Sequence, residues 1–484
     1  MTFVSSLEPI GLWSHFDRLL TIPRGSKKED QVRQHVIEVA ESCGLACRRD
    51  AVGNIVVPKP ASKGREGAPV VILQAHLDMV QEKNSDVEHD FDVDPIRPKK
   101  DGEYLTAQGT TLGSDNGIGV AAMLAILEDG GLEHGPLEML FTIDEETGLT
   151  GAAGLGEDML TGRWLINLDS EEEGVLTIGC AGGADSHLHL PLLREPWPTA
   201  AEAVSVRLHG LKGGHSGVDI HLQRGNAICL LARAILVAER EAPLRIAHFE
   251  GGNAHNAIPR EASATILVEG DVERVKRTLD AELQSVREEF RAVEADLCWD
   301  IQATGASSDA WSAASTRTAL ALLNALPHGV LSMSREMEGL VETSTNLAVV
   351  KETGNRLTVL LSSRSSVMSA LGALKRRIAA VAALAGCEVE EHAGYPSWKP
   401  NVESPLLGVV RRVHERIAGP AEIGAVHAGL ECSIIAQKYP GMDMISFGPQ
   451  IDYPHSPDER VKIPSVDPFY RVLLGVLAEL ARAP

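Results

Sequence analysis

Apolar residues recur at Ile10, Trp13, Phe16, Leu19 and Leu20, a helical spacing over 9–20 that stops at the Ile22-Pro23-Arg24-Gly25-Ser26 breaker. Val32, Val36, Val39 and Ala40 share one face of a second predicted helix. Short apolar runs then predict buried strands at 54–57, 70–75, 137–143 and 164–168, with a helix at 117–127 between the middle two. Strands alternating with helices imply an α/β layer with a mostly parallel sheet, and ligands of such sheets bind at the carboxyl ends of the strands.

The pattern changes after about Ala184. Alternating strand patterns appear at 205–208, 262–268, 345–350 and 357–361, and amphipathic helices at 272–286 and 367–384 each follow a strand. This reads as a duplicated β-β-α unit forming a separate α+β domain. Beyond Pro400 the first pattern returns, with a helix at 406–417, a strand at 444–447 and a final helix at 466–481. Residues 402–484 are a small piece to fold alone. The expected organisation is therefore one domain of 1–186 and 402–484, interrupted by an inserted domain of 187–401.

The chain carries 45 basic and 67 acidic side chains, a formal net charge of −22. That field repels phosphate backbones and anionic lipid, so nucleic-acid and membrane-surface partners are not expected. No apolar run approaches the ~18–20 residues of a membrane-spanning helix. Met1–Glu8 shows neither the basic nor the apolar region of a secretory signal, and seven scattered cysteines read as free thiols. A cytoplasmic location is the expectation.

The strand ends carry the chemistry. Strand 70–75 runs into His76-Leu77-Asp78, where positions two apart share a face. A glycine-dense loop, Gly109 to Gly119, places Asp115 at the start of a helix, either as a helix cap or as a site residue. Strand 137–143 ends in Asp144-Glu145-Glu146, and strand 164–168 ends in Asp169-Ser170-Glu171. Each feature alone also fits a surface pair or a solvated turn. Together they crowd carboxylates into one crevice, at a mutual repulsion of about 4 kcal/mol per contacting pair at intermediate dielectric. A multivalent cation relieves it. Imidazole mixed with carboxylate, without thiolate, favours zinc, manganese or cobalt over calcium, magnesium or an iron–sulfur cluster. A second imidazole is available from His455, past the last strand.

The phrases I-P-R-G-S (Ile22–Ser26), H-L-D-M (His76–Met79), T-T-L-G-S-D-N-G-I-G (Thr110–Gly119) and E-E-T-G-L (Glu145–Leu149) resemble the aminoacyl-histidine dipeptidases. So do L-D-S-E (Leu168–Glu171), G-G-H-S-G (Gly213–Gly217), H-A-G-L-E-C (His427–Cys432) and P-H-S-P-D-E (Pro454–Glu459). This family, also called cytosol non-specific dipeptidases, is a branch of the di-zinc aminoacylase/carboxypeptidase G2-like peptidases. The chain departs from it at Ala75, where Gly often precedes the His, and at Ser433, where Gly often follows the Cys.

The resemblance implies two divalent cations per chain, zinc before manganese or cobalt. His76 and Asp169 would hold one, Glu146 and His455 the other, and Asp115 would bridge them. Three carboxylates against two such ions leave about one positive charge, which a bridging hydroxide neutralises, and metal binding lowers the pKa of water toward ~7. Asp78 would orient His76, and Glu145 would be the general base and then the acid toward the leaving amine. The inserted domain would act as a lid. In it His215 would stabilise the oxyanion, Asn256 and Arg364 would hold the substrate carboxylate, and Gly429 would contribute its backbone. His35, His255, His427 and the cysteines are read as structural.

The expected activity is hydrolysis of unblocked L-dipeptides, Xaa-His types included. A related deacylase or carboxypeptidase acting on N-acylated amino acids is the alternative, and a non-catalytic binding protein is a third. Oligomeric state is left open, a homodimer included, because a duplicated lid would let His215 serve its own chain whereas an unduplicated one would need a partner subunit.

Overall fold

The computed structural model describes residues 2–196, 201–305 and 309–482. The chain divides into two units, the first comprising Met1–Cys180, Trp398–Ala425 and Leu430–Pro484, the second Ala181–Ser397 and Val426–Gly429. The expected boundary at 186/187 falls inside one continuous strand, Gly182–Pro191, which lies wholly in the second unit.

The first unit is built on an eight-stranded sheet. Across its width the strands are Arg48–Arg49, Ile55–Lys59, Leu137–Thr142, Val71–His76, Trp164–Asn167, Asp443–Ser446, Val175–Cys180 and Glu422–Val426. Val71–His76 and Leu137–Thr142 are buried at every position, as apolar runs covered on both faces should be. Helix Ser114–Glu128 is buried from Ser114 through Leu127 and packs beside Val71–His76 and helix Ile10–Leu19.

The sheet is mixed, not mostly parallel. Leu137–Thr142, Val71–His76, Trp164–Asn167 and Asp443–Ser446 pair in parallel, whereas Arg48–Arg49, Ile55–Lys59 and Val175–Cys180 join antiparallel. The reason lies in the connections. A parallel crossover takes about a dozen residues or more, and the short link 168–174 lets the chain only turn back on itself. At the other edge a tight turn reverses the chain at 50–54, where the Asp50 carboxylate accepts the N–H groups of Val52, Gly53 and Asn54. A four-stranded antiparallel sheet, Ile451–Asp452, Arg460–Lys462, Tyr104–Ala107 and Pro98–Asp101, completes this unit.

The second unit is a nine-stranded antiparallel sheet covered by helices. Its strands run Cys298–Thr304, Glu202–His209, Ala262–Val268, Leu244–Gly251, Val341–Thr353, Arg356–Ser365, Gly182–Pro191 and Glu388–Glu391, with Gly329–Met333 also on Val341–Thr353. Leu231, Ile235, Phe249, Leu279, Leu283, Trp311, Val359 and Ile378 are among the side chains of its core. Among the described residues no helix is long and apolar enough to cross a membrane, and all seven cysteines are free.

Candidate metal centre and active site

Parallel pairing brings the strand ends of the first unit to one edge of the sheet. His76 lies opposite Thr142, and Gln74 lies opposite both Leu140 and Asn167. From these ends the chain continues to Asp78, to Glu145 and Glu146, and to Asp169. Asp115 enters from the start of helix Ser114–Glu128, with ψ near 114° instead of a helical value. Asn116 is also non-helical, so the regular helix begins beyond it, and both Asp115 carboxylate oxygens face His76 and His455 instead of helix N–H groups.

The structure collects the sequence-derived donors into two groups that share one carboxylate. His76 Nε2 lies 3.0 Å from Asp115 Oδ1 and 3.1 Å from Asp169 Oδ1. His455 Nε2 lies 3.2 Å from Asp115 Oδ2 and 3.0 Å from Glu146 Oε2. Asp115 therefore turns one oxygen to each group. Glu145 neighbours both, because His76, Glu145 and Glu146 place ligand atoms within 4.8 Å of one another.

Asp78 joins the pieces. Its Oδ1 lies 3.4 Å from His76 Nδ1, and its carboxylate accepts the backbone N–H groups of Glu145 at 3.0 Å and Glu146 at 3.2 Å. One fully buried carboxylate thus sets both the ring of His76 and the turn that carries the two glutamates. Ser26 Oγ donates to its second oxygen at 2.8 Å.

The electrostatics follow from burial and crowding. Burial, together with the charges of Asp169, Glu146 and Glu431, raises the pKa of Glu145 well above the usual carboxylate range. Burial also raises Glu146 and Asp169, reinforced in both by Asp115. Asp115 goes the other way: burial opposes its charge, but hydrogen bonds with His455 and His76 outweigh it and hold its pKa low. Hydrogen bonds to Asp115 and Glu146 push His455 up to about 11. Burial disfavours a charge on His76, yet Asp169, Asp115 and Asp78 outweigh burial and raise its pKa well above the ordinary value. A cluster that draws protons onto its imidazoles to balance its acids is one that divalent cations would satisfy instead. The donor set of imidazole and carboxylate fits borderline cations. Glu146 Oε1 is moreover buried without a hydrogen-bond partner among the described residues.

His215, Asn256, Arg364 and Gly429 all lie in the second unit. His215 Nδ1 accepts the N–H groups of Gly217 and Val218 at 3.2 and 3.0 Å, so the neutral ring carries its proton on Nε2. The Asn256 carbonyl accepts the Ser216 N–H at 2.7 Å. A Cβ added at Gly217 would lie 3.1 Å from both Arg364 Nε and His215 Cε1 and would strike the His427 carbonyl, so these residues close around one glycine. Gly429 and Arg364 both meet Tyr395.

Residues 72–479 match the model of "Peptidase family M20/M25/M40". The chain belongs to this family. It is 43% identical over 482 residues to the cytosol non-specific dipeptidase of Escherichia coli K12, with 99% of each chain covered. The crystal structure of aminoacylhistidine dipeptidase from Vibrio alginolyticus superposes with a TM-score of 0.89 at 42% identity, covering 99% of this chain and 98% of that one. The aminopeptidase PepT of Bacillus cereus shares the fold alone, at a TM-score of 0.57 and 15% identity, with 98% of this chain and 100% of that one covered.

Around its donors this M20 chain builds a supporting shell that sequence reasoning passed over. Arg24, in I-P-R-G-S, is buried and donates to the carbonyls of Leu77 at 3.0 Å and Asp78 at 2.9 Å, and to that of Gly113. Asn116 Nδ2 donates to Asp169 Oδ1 at 2.6 Å. One pleat below the donors runs a buried polar row. Glu431 accepts from Gln74 at 2.6 Å and Thr142 at 2.7 Å, Gln74 accepts from Asn167 at 2.5 Å, and Asn167 accepts from Ser446 at 2.5 Å. Burial pushes the Glu431 carboxyl up to about 8. Arg24, Asn116 and Glu431 sit inside the phrases that carried the family resemblance, which was the available signal.

Proposed function

We propose that this chain is a metal-dependent dipeptidase of the M20 family that hydrolyses unblocked L-dipeptides, Xaa-His types included. One observation carries the reading: Asp115 turns an oxygen to each of two imidazole–carboxylate groups, the arrangement a paired-cation centre needs. The names of the Escherichia coli and Vibrio alginolyticus relatives support the substrate class, and both matches extend over nearly the whole chain. An N-acyl amino acid hydrolase is not favoured by these relatives.

In this reading His76 and Asp169 would hold one cation, Glu146 and His455 the other, and Asp115 would serve both, with zinc preferred to manganese or cobalt by the donor chemistry. Such cations supply Lewis-acid polarisation of the scissile carbonyl and increase the acidity of water. Glu145 takes the proton from the attacking water and returns it to the leaving amine nitrogen, a role suited to a carboxyl whose pKa is raised. Asp78 keeps His76 and the Glu145–Glu146 turn in fixed relation. His215 offers Nε2–H to the developing oxyanion, while Arg364, Asn256 and the Gly429 backbone hold the peptide with its free carboxylate.

The second unit is the lid of this scheme. Its mirrored strand order supports the internal duplication. Each half has a strand sequence of edge, inner, inner and central strand, ending on Leu244–Gly251 in one half and Val341–Thr353 in the other. A cytoplasmic location is supported by the free cysteines and by the relative's name.

The test is a panel of Ala-His, Gly-Gly and N-acetyl amino acids assayed on metal-analysed protein. Turnover of the dipeptides with a metal content near two per chain is the expected result. Turnover of the N-acetyl compounds alone would transfer the chain to the alternative class.

A further inference from the structure

Arg364 stands on strand Arg356–Ser365, opposite Ser344 on one side and Gly183 on the other, with its side chain buried. A guanidinium offers five N–H donors in a flat fork, and a carboxylate can engage it side-on through Nε and one Nη. In this chain one side of the group is already taken. Arg364 Nη1 donates to the Tyr395 hydroxyl at 2.6 Å, whereas Nε is buried with no hydrogen-bond partner among the described residues.

Tyr395 is held firmly enough to act as a reference point. Its backbone exchanges hydrogen bonds with Gly183, N to O at 3.0 Å and O from N at 3.1 Å. Its ring lies where side chains on two glycines would stand. A Cβ on Gly183 would come within 2.6 Å of the ring and its hydroxyl, and a Cβ on Gly429 within 2.9 Å of the ring. A third glycine guards the other side of the arginine, since a Cβ on Gly217 would lie 3.1 Å from Nε. Gly183, opposite Arg364 in the sheet, therefore leaves room for the tyrosine, and the absence of a side chain on Gly217 keeps a carbon from crowding Nε.

We propose that Tyr395 is a positioning residue for substrate recognition: it occupies the Nη1 side of Arg364 and turns the Nε/Nη2 edge into the fork that receives the dipeptide's terminal carboxylate. This rests on the reading of Arg364 as the carboxylate holder and deepens it by assigning the edge used and the group that selects that edge. His427 does not compete as a second cation, because burial first, and the Arg364 charge second, depress its pKa to about 3.

The experiment compares the metal-loaded wild type with Tyr395→Phe, Gly183→Ala and Arg364→Ala on one dipeptide and on its C-terminal amide. An amide that is not cleaved is read as a competitive inhibitor. Tyr395→Phe keeps the ring and removes only the hydroxyl. It is expected to raise KM for the free acid about tenfold, leave kcat within about threefold, and leave the amide's KM or Ki unchanged, the signature of lost ground-state binding to one group. Gly183→Ala, which displaces the ring, is expected to give the same acid-selective rise and serves if the first variant is poorly folded. Equal rises for acid and amide, or an unchanged acid KM in Tyr395→Phe while Arg364→Ala raises it, would overturn the positioning role. If Arg364→Ala leaves the acid-to-amide ratio as in wild type, the carboxylate reading itself fails, and the proposal with it.

Discussion

Glu459 grips Ser114 twice: its Oε1 accepts the Ser114 backbone N–H at 2.7 Å and the Ser114 hydroxyl at 2.6 Å. Its Oε2 accepts the N–H groups of Leu112 and Gly113 at 2.8 and 3.0 Å. A buried carboxylate thus closes the start of helix Ser114–Glu128, where free N–H groups and the helix dipole favour negative charge. The same residue ends the loop that carries His455, while Ser114 directly precedes Asp115. Glu459→Ala is expected to lower stability by about 3 kcal/mol, since charged hydrogen bonds and buried N–H groups are lost together. It is also expected to weaken metal retention, because His455 and Asp115 lose their tie. Thermal unfolding and metal content after dialysis check both, and an unchanged metal content would separate the tie from the donors.

Glu145→Gln keeps the size and removes the proton-accepting oxygen. The expected outcome is an unaltered metal content with kcat reduced about 10²–10⁴-fold, the usual weight of general acid–base catalysis. Metal analysis beside steady-state kinetics decides it, and near-normal turnover would remove Glu145 from the proton path.

Asp115 and His455 should differ in stoichiometry. Asp115 reaches both donor groups, so Asp115→Ala is expected to release both cations. His455 reaches one, so His455→Ala is expected to retain close to one ion per chain. Metal counted by mass spectrometry on purified variants gives the answer directly.

Exhaustive chelation is expected to abolish dipeptide hydrolysis, with zinc, manganese or cobalt restoring it. Activity that persists in chelated, metal-free protein would be incompatible with a cation at the centre.

Acid should loosen the second unit through His328. Its Nδ1 receives the Asn226 side-chain N–H at 3.2 Å and the Leu347 N–H at 3.4 Å, so a proton at Nδ1 breaks both bonds. Burial lowers its pKa from 6.5 to about 4. Between those values the unfolded chain binds a proton that the native chain does not. The stabilisation is therefore complete above about pH 6.5 and is lost as pH falls toward 4, by an amount on the order of 3 kcal/mol. His328→Asn removes the titration and is expected to flatten the acid limb of Tm against pH. Parallel limbs in the two proteins would assign the acid sensitivity elsewhere.

Three of the candidate donors stood out in the sequence because they end or closely follow an apolar run. His76 closes Val71–His76, and Glu146 and Asp169 follow Leu137–Thr142 and Trp164–Asn167 within a few residues. Asp115 was ambiguous on local grounds, since an acid opening a helix also reads as a cap. What settles the cap is Glu459, which arrives from more than three hundred residues away and has no local signature. Arg24 was equally hidden, a charged residue whose partners are carbonyls of distant loops. Sheet direction was misjudged because alternation of elements says nothing about short reversals such as 168–174. The strands Pro98–Asp101 and Tyr104–Ala107 lie in a charged, half-exposed stretch with little apolar alternation to mark them. The return of Val426–Gly429 to the second unit is too brief for any pattern.

Covalent order adds a timetable to this architecture. His76, Asp115, Glu146 and Asp169 are all translated before the second unit begins at Ala181, and His455 only after that unit has been made. On the ribosome neither donor group can be completed until 431–459 has emerged, because that stretch brings Glu431, His455 and the Glu459 carboxylate that closes the loop before Asp115. A polypeptide terminated inside the second unit would therefore keep His76, Asp115, Glu146 and Asp169 but lack the carboxylate that fixes the Asp115 loop and the imidazole that faces Glu146.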